Sequence, residues 1–308
     1  LDLSETEIKS KVLKGLFWKI LENGGAQGIQ FVIAIILARL LSPAEYGLVS
    51  IIMIFITIAN VVVQNGFSTA LVQKKHSDDT DFSSVFYFSL AIAAVMYAAL
   101  YASAPSIAGF YHNDVLVPIV RVLAVVLFPG AVISVQTAYV SRKMEFKGLF
   151  KATMVAVVIS GAASILMALR GMGVWAMVGQ QIAYYLALMT TLFMTVSWKP
   201  RLVFAMGRIS AMFSFGWKLL LAALLDTLFN NLYGLIMGKI YNEELLGAYN
   251  RGDQFPKLIV NNLGAAIQAV LLPAFSSRQG DVAQVRSMVR RAIRTSSQVS
   301  GVSCRRDL

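Results

Sequence analysis

The chain of 308 residues carries little charge for its length, since 14% of its residues are charged and 57% are hydrophobic, with a mean hydropathy of +0.67. Soluble domains average about 25% charged residues, so the composition excludes an ordinary soluble protein and predicts a chain solvated mainly by lipid. The net charge of +11 falls between apolar runs, and no basic face is interleaved with aromatic residues. We therefore expect membrane lipid headgroups, and no nucleic acid, as anionic partners.

A membrane-spanning helix needs about 20 mostly apolar residues, and eight such stretches follow one another along the chain. The runs are continuously apolar and do not alternate, which favours helices over a barrel. Pro256 and Pro273 predict a kink in the last stretch, and residues 281–300 have the pattern of a further helix. The sequence predicts an all-α integral membrane protein, a polytopic helical bundle, with spans at residues 15–41, 46–72, 82–108, 115–140, 151–170, 173–197, 213–239 and 245–275.

The connecting loops alternate in charge along the chain. Lys and Arg gather before the first stretch and after the second, fourth, sixth and eighth, whereas the opposite loops hold few of them. Because an excess of Lys and Arg marks the cytoplasmic side, a cytoplasmic N-terminus is predicted. Small residues in the first span are predicted to allow close helix approach, and tryptophans near span ends to anchor at the interface: Gly24, Gly25 and Gly28, and Trp18, Trp175, Trp198 and Trp217.

A weak internal repeat has an offset of about 200 residues. Trp18-Lys19 opens the first span and Trp217-Lys218 the seventh, while Tyr46-Gly47 and Leu246-Gly247 begin the second and the eighth. Parallel repeats of this kind are typical of transporters, with the substrate path between the halves. We predict a six-helix lobe at residues 1–200 and the first two to three helices of a second lobe at residues 201–308, so the chain is expected to be incomplete at its C-terminal end.

Eight short motifs follow one another along residues 12–280. The first is LARLLSPAEYG at residues 37–47, and GMGVWA and LGAYNR follow at residues 171–176 and 246–251. The other five are FSTALVQKK at 67–75, AGFY at 108–111, RKMEFK at 142–147, WKPR at 198–201 and LPAFS at 272–276. In their order along the chain, the motifs resemble those of bacterial polysaccharide exporters. These are the Wzx-like O-antigen, capsule and colanic-acid flippases of the multidrug/oligosaccharidyl-lipid/polysaccharide superfamily. Tyr46 stands where the family usually has Phe or Tyr, and Gly252 stands where the family prefers Ala.

The resemblance implies a multi-pass protein of the bacterial inner membrane that moves an undecaprenyl-diphosphate-linked oligosaccharide from the cytoplasmic to the periplasmic leaflet by alternating access. Such a protein needs a polar path, because stripping water from a diphosphate and its sugars is costly. A polysaccharide polymerase and other assembly proteins are implied partners. The alternatives are a cation-coupled multidrug exporter of the same superfamily, a membrane-embedded glycosyltransferase or polymerase, and a non-transporting scaffold of polysaccharide assembly.

Ionisable side chains inside a span are the default hypothesis for a functional site. Asp226 and Lys257 lie near the middle of the seventh and eighth spans, whereas Glu22, Arg121 and Arg251 are shallower. We expect Arg121, Arg251 and Lys257 to receive diphosphate or acidic sugar. Glu22 and Asp226 are expected to take part in coupling to a proton or cation. Alternatively, Asp226 pairs with Lys257 or Arg251 and merely fixes helix packing.

Nothing in the sequence predicts an enzyme, a cofactor or a metal centre. It contains no Gly-rich phosphate loop, no HExxH and no GxSxG motif. His76 and His112 lie in separate loops, and Cys304 is the single cysteine, so neither residue type can supply a ligand pair.

Overall fold

The computed structural model describes residues 5–73, 78–143, 145–241 and 244–252, which are helical apart from turns and the linker 196–205. These residues belong to a compact unit that spans Leu1–Gly252. Within them, residues 244–252 form a last helical segment. It follows α1 (Glu5–Leu40), α2 (Pro43–Gln73), α3 (Asp79–Tyr111), α4 (Leu116–Leu123), a 3₁₀ turn (Ala124–Val126), α5 (Leu127–Lys143), α6 (Phe146–Leu169), α7 (Val174–Thr195) and α8 (Met206–Ile240).

Successive long helices run in opposite directions, because the turns that join them are short. The face at which α1 begins is named the near face, and the face at which α1 ends is named the far face. Helices α3, α6 and α8 begin at the near face, and α2, α4, α7 and the 244–252 helix begin at the far face. This alternation places the loops that are rich in Lys and Arg at the near face.

Six segments of the described chain are long and apolar enough to cross a membrane: Phe17–Leu40, Pro43–Gln64, Asp79–Tyr111, Leu116–Lys143, Phe146–Leu169 and Gly216–Ile240. They confirm the predicted all-α, multi-pass membrane fold. The sixth predicted stretch forms α7, which has the length of a span, contains Gln180, Gln181, Tyr184 and Tyr185, and is not among these six segments. Beyond residue 252, the eighth stretch with its two prolines and the further helix at 281–300 lie outside the described residues.

The fourth predicted stretch is not one continuous α-helix. A 3₁₀ turn at Ala124–Val126 separates α4 from α5, and Pro129 is the third residue of α5. Proline has no N–H, and its ring crowds the carbonyl four residues back, here that of Val125. The preceding turn therefore tightens into the 3₁₀ form.

Trp198 lies in the core that α3, α5, α7 and the linker form toward the near face. Its ring contacts those of Phe82, Phe86 and Tyr139, with centroids 5.7, 6.3 and 6.0 Å away, and the residue is only 4% exposed. The prediction of an interfacial anchor was therefore wrong for Trp198. Trp217 is exposed, as an anchor would be.

Close helix packing depends on glycines other than those that the sequence indicated. A Cβ added at Gly161 of α6 would lie 2.2 Å from Cδ1 of Ile33, so α1 and α6 approach closely there. A Cβ added at Gly25 would lie 3.4 Å from Sδ of Met154, which is an ordinary contact distance. A Cβ added at Gly24 or Gly28 would have no neighbour within 4 Å among the described residues, so close helix approach at these two stays a prediction.

Candidate functional site

The five predicted site residues do not form one cluster in the part of the chain that the structure describes. Glu22 lies in the near-face half of α1, Asp226 lies midway along the span of α8, and Arg121 and Arg251 lie toward the far face. Lys257 lies outside the described residues. Each of the described residues therefore has its own set of neighbours.

The turn between α1 and α2 is fixed by a capping box. The backbone N–H and the hydroxyl of Ser42 donate to Oε2 of Glu45 at 2.7 and 2.9 Å, and the N–H of Glu45 donates to the Ser42 hydroxyl at 3.3 Å. Pro43 follows as the first residue of α2, where no partner for an N–H is needed. The Ser-Pro-x-Glu part of the first motif therefore starts a helix sharply at the far face.

Arg251 closes the end of α1 at this turn. Its guanidinium donates to the carbonyls of Ala38 and Leu41 at 3.3 and 3.1 Å and lies 4.0 Å above the ring of Tyr46. The last carbonyls of a helix have no partner within it and form the negative end of its dipole, so a cation there satisfies both needs. The structure thus gives Arg251 a contact within the protein, and its predicted role in binding substrate stays a prediction.

Gly247 brings the 244–252 helix against the same turn. A Cβ at this position would lie 2.0 Å from the carbonyl oxygen of Pro43 and 3.0 Å from the backbone N of Gly47. Because backbone atoms cannot move aside as a flexible side chain can, glycine is the residue that fits here. The first motif and the LGAYNR motif are therefore in direct contact.

The far-face half of α8 packs on α2 and α3. Cβ atoms added at Gly234 and Gly238 would lie 3.0 Å from Cδ1 of Ile54 and 3.2 Å from Cγ1 of Ile51. In the last turn, Lys239 donates a hydrogen bond to the carbonyl of Phe110 and lies 4.3 Å above its ring. Lys239 thereby caps the end of α3 as Arg251 caps the end of α1.

Asp226 is exposed midway along the span of α8, whereas Ile209 and Met212 at the near-face end of this helix are buried in the core that contains Trp198. No ion pair to Asp226 occurs within the described ranges. Arg251 contacts Ala38, Leu41 and Tyr46, so nothing described supports the alternative in which Asp226 pairs with Arg251. Whether Asp226 pairs with Lys257 stays a prediction, because Lys257 is not described.

An ionic cluster ties the start of α8 to the start of α3. Arg208 contacts Asp78 and, at 3.2 Å, Asp81, and Arg201 of the linker lies 3.2 Å from Asp79. Hydrogen bonds from Arg208, followed by one from the backbone N–H of Asp81, lower the pKa of the Asp78 carboxyl to about 2. The hydrogen bonds to Asp78 and Asp81 in turn raise the pKa of Arg208.

The linker makes two further contacts with α3. The backbone N–H groups of Arg201 and Ala205 donate to the hydroxyls of Ser83 and Ser84 at 3.1 and 3.0 Å. Both serines are buried. The linker is therefore held on the first turns of α3 by polar contacts.

Glu22 is a buried carboxylate, 7% exposed, inside the first span. Oε2 accepts a hydrogen bond from Lys19 at 2.9 Å, and Oε1 accepts one from the hydroxyl of Thr153 in α6 at 3.1 Å. A carboxylate can be buried when it is paired and hydrogen-bonded in this way. The predicted role of Glu22 in coupling to a proton or cation stays a prediction.

Arg121 stacks on an aromatic ring, as Arg251 does. Its guanidinium carbon lies 4.2 Å above the ring of Tyr101 in α3, and its Nε is buried with no hydrogen-bond partner among the described residues. The terminal nitrogens of a stacked guanidinium remain able to donate to an oxyanion. Arg121 is therefore better placed than Arg251 to meet a ligand.

A polar cluster between α2, α5 and α7 was missed by the sequence analysis. The amide of Gln64 donates to Asn60 at 2.9 Å, and the amide of Asn60 donates to the hydroxyl of Tyr185 at 3.5 Å. A Cβ at Gly130 would lie 3.0 Å from both amides. Two amides four residues apart in an apolar span were the signal that could have revealed it.

Comparisons with known proteins agree with one another. Residues 36–300 match a family described as "Polysaccharide biosynthesis protein". The chain is 24% identical to the succinoglycan biosynthesis transport protein ExoT of Rhizobium meliloti, over 94% of this chain and 58% of the relative. It is 26% identical to the teichuronic acid biosynthesis protein TuaB of Bacillus subtilis, over 91% and 58%, and 22% identical to the lipopolysaccharide biosynthesis protein WzxC of Escherichia coli, over 91% and 57%.

The chain thus spans less than two thirds of the length of these curated relatives. No solved structure matches it.

Proposed function

This chain belongs to the polysaccharide biosynthesis protein family, and we propose that it forms part of an exporter that flips a lipid-linked oligosaccharide across the cytoplasmic membrane. The three relatives carry names of transport or biosynthesis proteins for three different polysaccharides. All three names refer to molecules that contain sugar polymers. We infer that the substrate is an oligosaccharide on an undecaprenyl-diphosphate carrier.

The observation that carries this proposal is a set of contacts between repeat-equivalent positions. If a two-fold axis relates two repeats offset by 200 residues, each contact has a mate in which the partners are exchanged. Ile51 contacts the Cβ position of Gly238, and Arg251 contacts Ala38, so these two contacts are mates. Gly47 meets Gly247, its own equivalent. Such a parallel repeat supports two lobes with the substrate path between them.

The near face is proposed to be cytoplasmic. It holds the loops that are rich in Lys and Arg, while the turns at the far face carry few cations, and the positive side of a multi-pass protein faces the cytoplasm. A cationic near face also favours the first encounter with a diphosphate. The direction of transport is then from the near face to the far face.

The two repeats meet at the far face, and the middle of α8 around Asp226 is exposed. Gly234 and Gly238 pack on α2, whereas Asp226 and the neighbouring residues of α8 are exposed. We propose that this conformation opens the path to the cytoplasm. Release on the other side then requires the far-face contact to open, as alternating access demands.

The proposed roles of the charged residues follow from this arrangement. Arg121 and Lys257 receive the diphosphate or acidic sugar, and Arg251 holds the far-face contact and becomes available to substrate when that contact opens. Glu22 exchanges a proton or cation through its contact with Lys19, and Asp226 contributes negative charge to the open path.

An export assay tests the proposal. Cells that lack their own flippase would express either the 308-residue chain or the same chain continued with a second repeat from a relative, with membrane insertion of both confirmed. We expect the continued chain to restore surface polysaccharide. If correctly inserted protein restores none in strains of several polysaccharide types, the flippase proposal is wrong and the drug-exporter and scaffold alternatives gain weight.

A further inference from the structure

Residues of α2, α3 and α8 line an open cavity of about 530 Å³ toward the far face. Its walls are apolar and include Phe55, Ile107 and Leu235. Pockets of this size hold ligands as large as a drug molecule. The cavity lies within membrane-spanning segments, and Ile236 and Ile240 at its side are exposed, so it can be reached from the bilayer.

Two polar groups at this cavity have unused hydrogen-bonding capacity. Lys239 donates to the carbonyl of Phe110, and an ammonium group has three donors. Tyr111 is 8% exposed, and its hydroxyl is buried with no hydrogen-bond partner in the described ranges. A buried hydroxyl without a partner is unfavourable, so an acceptor that reached Tyr111 would satisfy it.

We propose that this cavity binds an anionic phospholipid of the far-face leaflet, with one acyl chain between α3 and α8 and the phosphate on Lys239 and Tyr111. Lys239 lies in the last turn of α8, at the depth where the layer of headgroups begins. A single cation above an apolar cavity is complementary to a phosphate attached to a chain. The volume suits one acyl chain.

This site differs from the proposed transport path, because the cavity lies beside the contact of α8 with α2 and contains none of the predicted substrate residues. The assignment requires only the membrane-spanning fold. The assignment holds whether or not the chain exports polysaccharide, and its test measures lipid binding alone.

Native mass spectrometry of the purified full chain provides the test, after incubation with vesicles of phosphatidylglycerol and phosphatidylethanolamine in equal amounts. We expect one phosphatidylglycerol to be retained in preference to phosphatidylethanolamine. Lys239→Met should weaken that retention about tenfold, the size expected for a lost hydrogen bond between charged groups. Lys218→Met, an exposed lysine in the near-face half of the same helix, is the matched control and should leave retention unchanged.

Two further variants and a control keep the test decisive if Lys239→Met unfolds the protein. Tyr111→Phe keeps the ring, removes the hydroxyl and should weaken retention about threefold, while Tyr233→Phe, exposed on α8, should not. Ile236→Trp should fill the cavity and abolish retention. Unchanged retention in folded Lys239→Met and Tyr111→Phe proteins would overturn the proposal, as would displacement of phosphatidylglycerol by an equal amount of polyprenyl phosphate.

Discussion

The two ends of α8 are held by different contacts. Toward the far face, Gly234 and Gly238 let α8 lie directly on α2, and Lys239 caps α3. At its near-face end, Ile209 and Met212 are buried in the core that contains Trp198, and Arg208 contacts carboxylates of α3. Close packing in lipid is insensitive to salt, whereas exposed ion pairs are weak and screened. The far-face contact is therefore expected to depend little on salt, whereas the ion pairs of Arg208 with α3, named the near-face tether, are expected to weaken with salt.

The largest effect is expected at the closest backbone approach. Gly247→Ala adds a Cβ that would lie 2.0 Å from the Pro43 carbonyl, so the 244–252 helix must move and the free energy of unfolding should fall by about 3 kcal/mol. Thermal unfolding in detergent measures this. Gly252→Ala, on the same helix with no neighbour within 4 Å among the described residues, is the control. Equal stability of the two variants would contradict the proposed contact.

Removing the cap of α1 should have the next largest effect. Arg251→Met leaves the carbonyls of Ala38 and Leu41 without their donor and should cost about 2 kcal/mol. Arg39→Met, exposed in the last turn of the same helix, should cost much less. The melting temperatures of both variants measure the two losses. A loss in Arg251→Met no larger than the loss in Arg39→Met would contradict the proposed cap.

The near-face tether should respond to acid. Because the pKa of Asp78 is about 2 in the folded protein and about 3.9 when unfolded, its contribution is present above pH 4 and is lost as the pH falls through 2. Hydrogen exchange at the amides of Arg201 and Ala205 reports on the tether. We expect Arg208→Gln to accelerate this exchange at pH 7 and the difference from the wild type to shrink below pH 4.

If the difference in exchange rate between Arg208→Gln and the wild type did not change with pH, Asp78 would have no part in holding the linker. Raising the salt concentration at pH 7 should reduce the difference in the same way, since exposed ion pairs are screened. Exchange at the amides of the 244–252 helix is the internal control and should follow neither change.

The smallest effect on stability is expected at Arg121. Its stacking on Tyr101 at 4.2 Å is a cation–π contact, worth about 0.5–1 kcal/mol at a partly exposed site. A double-mutant cycle with Arg121→Met and Tyr101→Leu measures the coupling energy. A coupling above about 2 kcal/mol would show that Arg121 holds the structure together and would weaken its proposed role with substrate.

Hydropathy and loop charge predicted the helices because span length and composition are properties of the chain itself. The role of Arg251 could not be predicted, since the carbonyls that it caps are more than 200 residues away in the sequence. Trp198 shows the same limit, because a tryptophan at a span end looks alike whether lipid or Phe82 covers it. The glycine contacts likewise depend on which helix faces which, as Gly161 and Gly24 demonstrate.

The most direct test of the account is to lock the far-face contact. Cγ1 of Ile51 lies 3.2 Å from the Cβ position of Gly238, so Ile51→Cys and Gly238→Cys should form a disulfide in a chain that also carries Cys304→Ser. Surface polysaccharide would be measured in cells that depend on the continued chain, before oxidation, after it and after reduction. The account predicts that oxidation stops export and that reduction restores it, whereas undiminished export by fully cross-linked protein would contradict it.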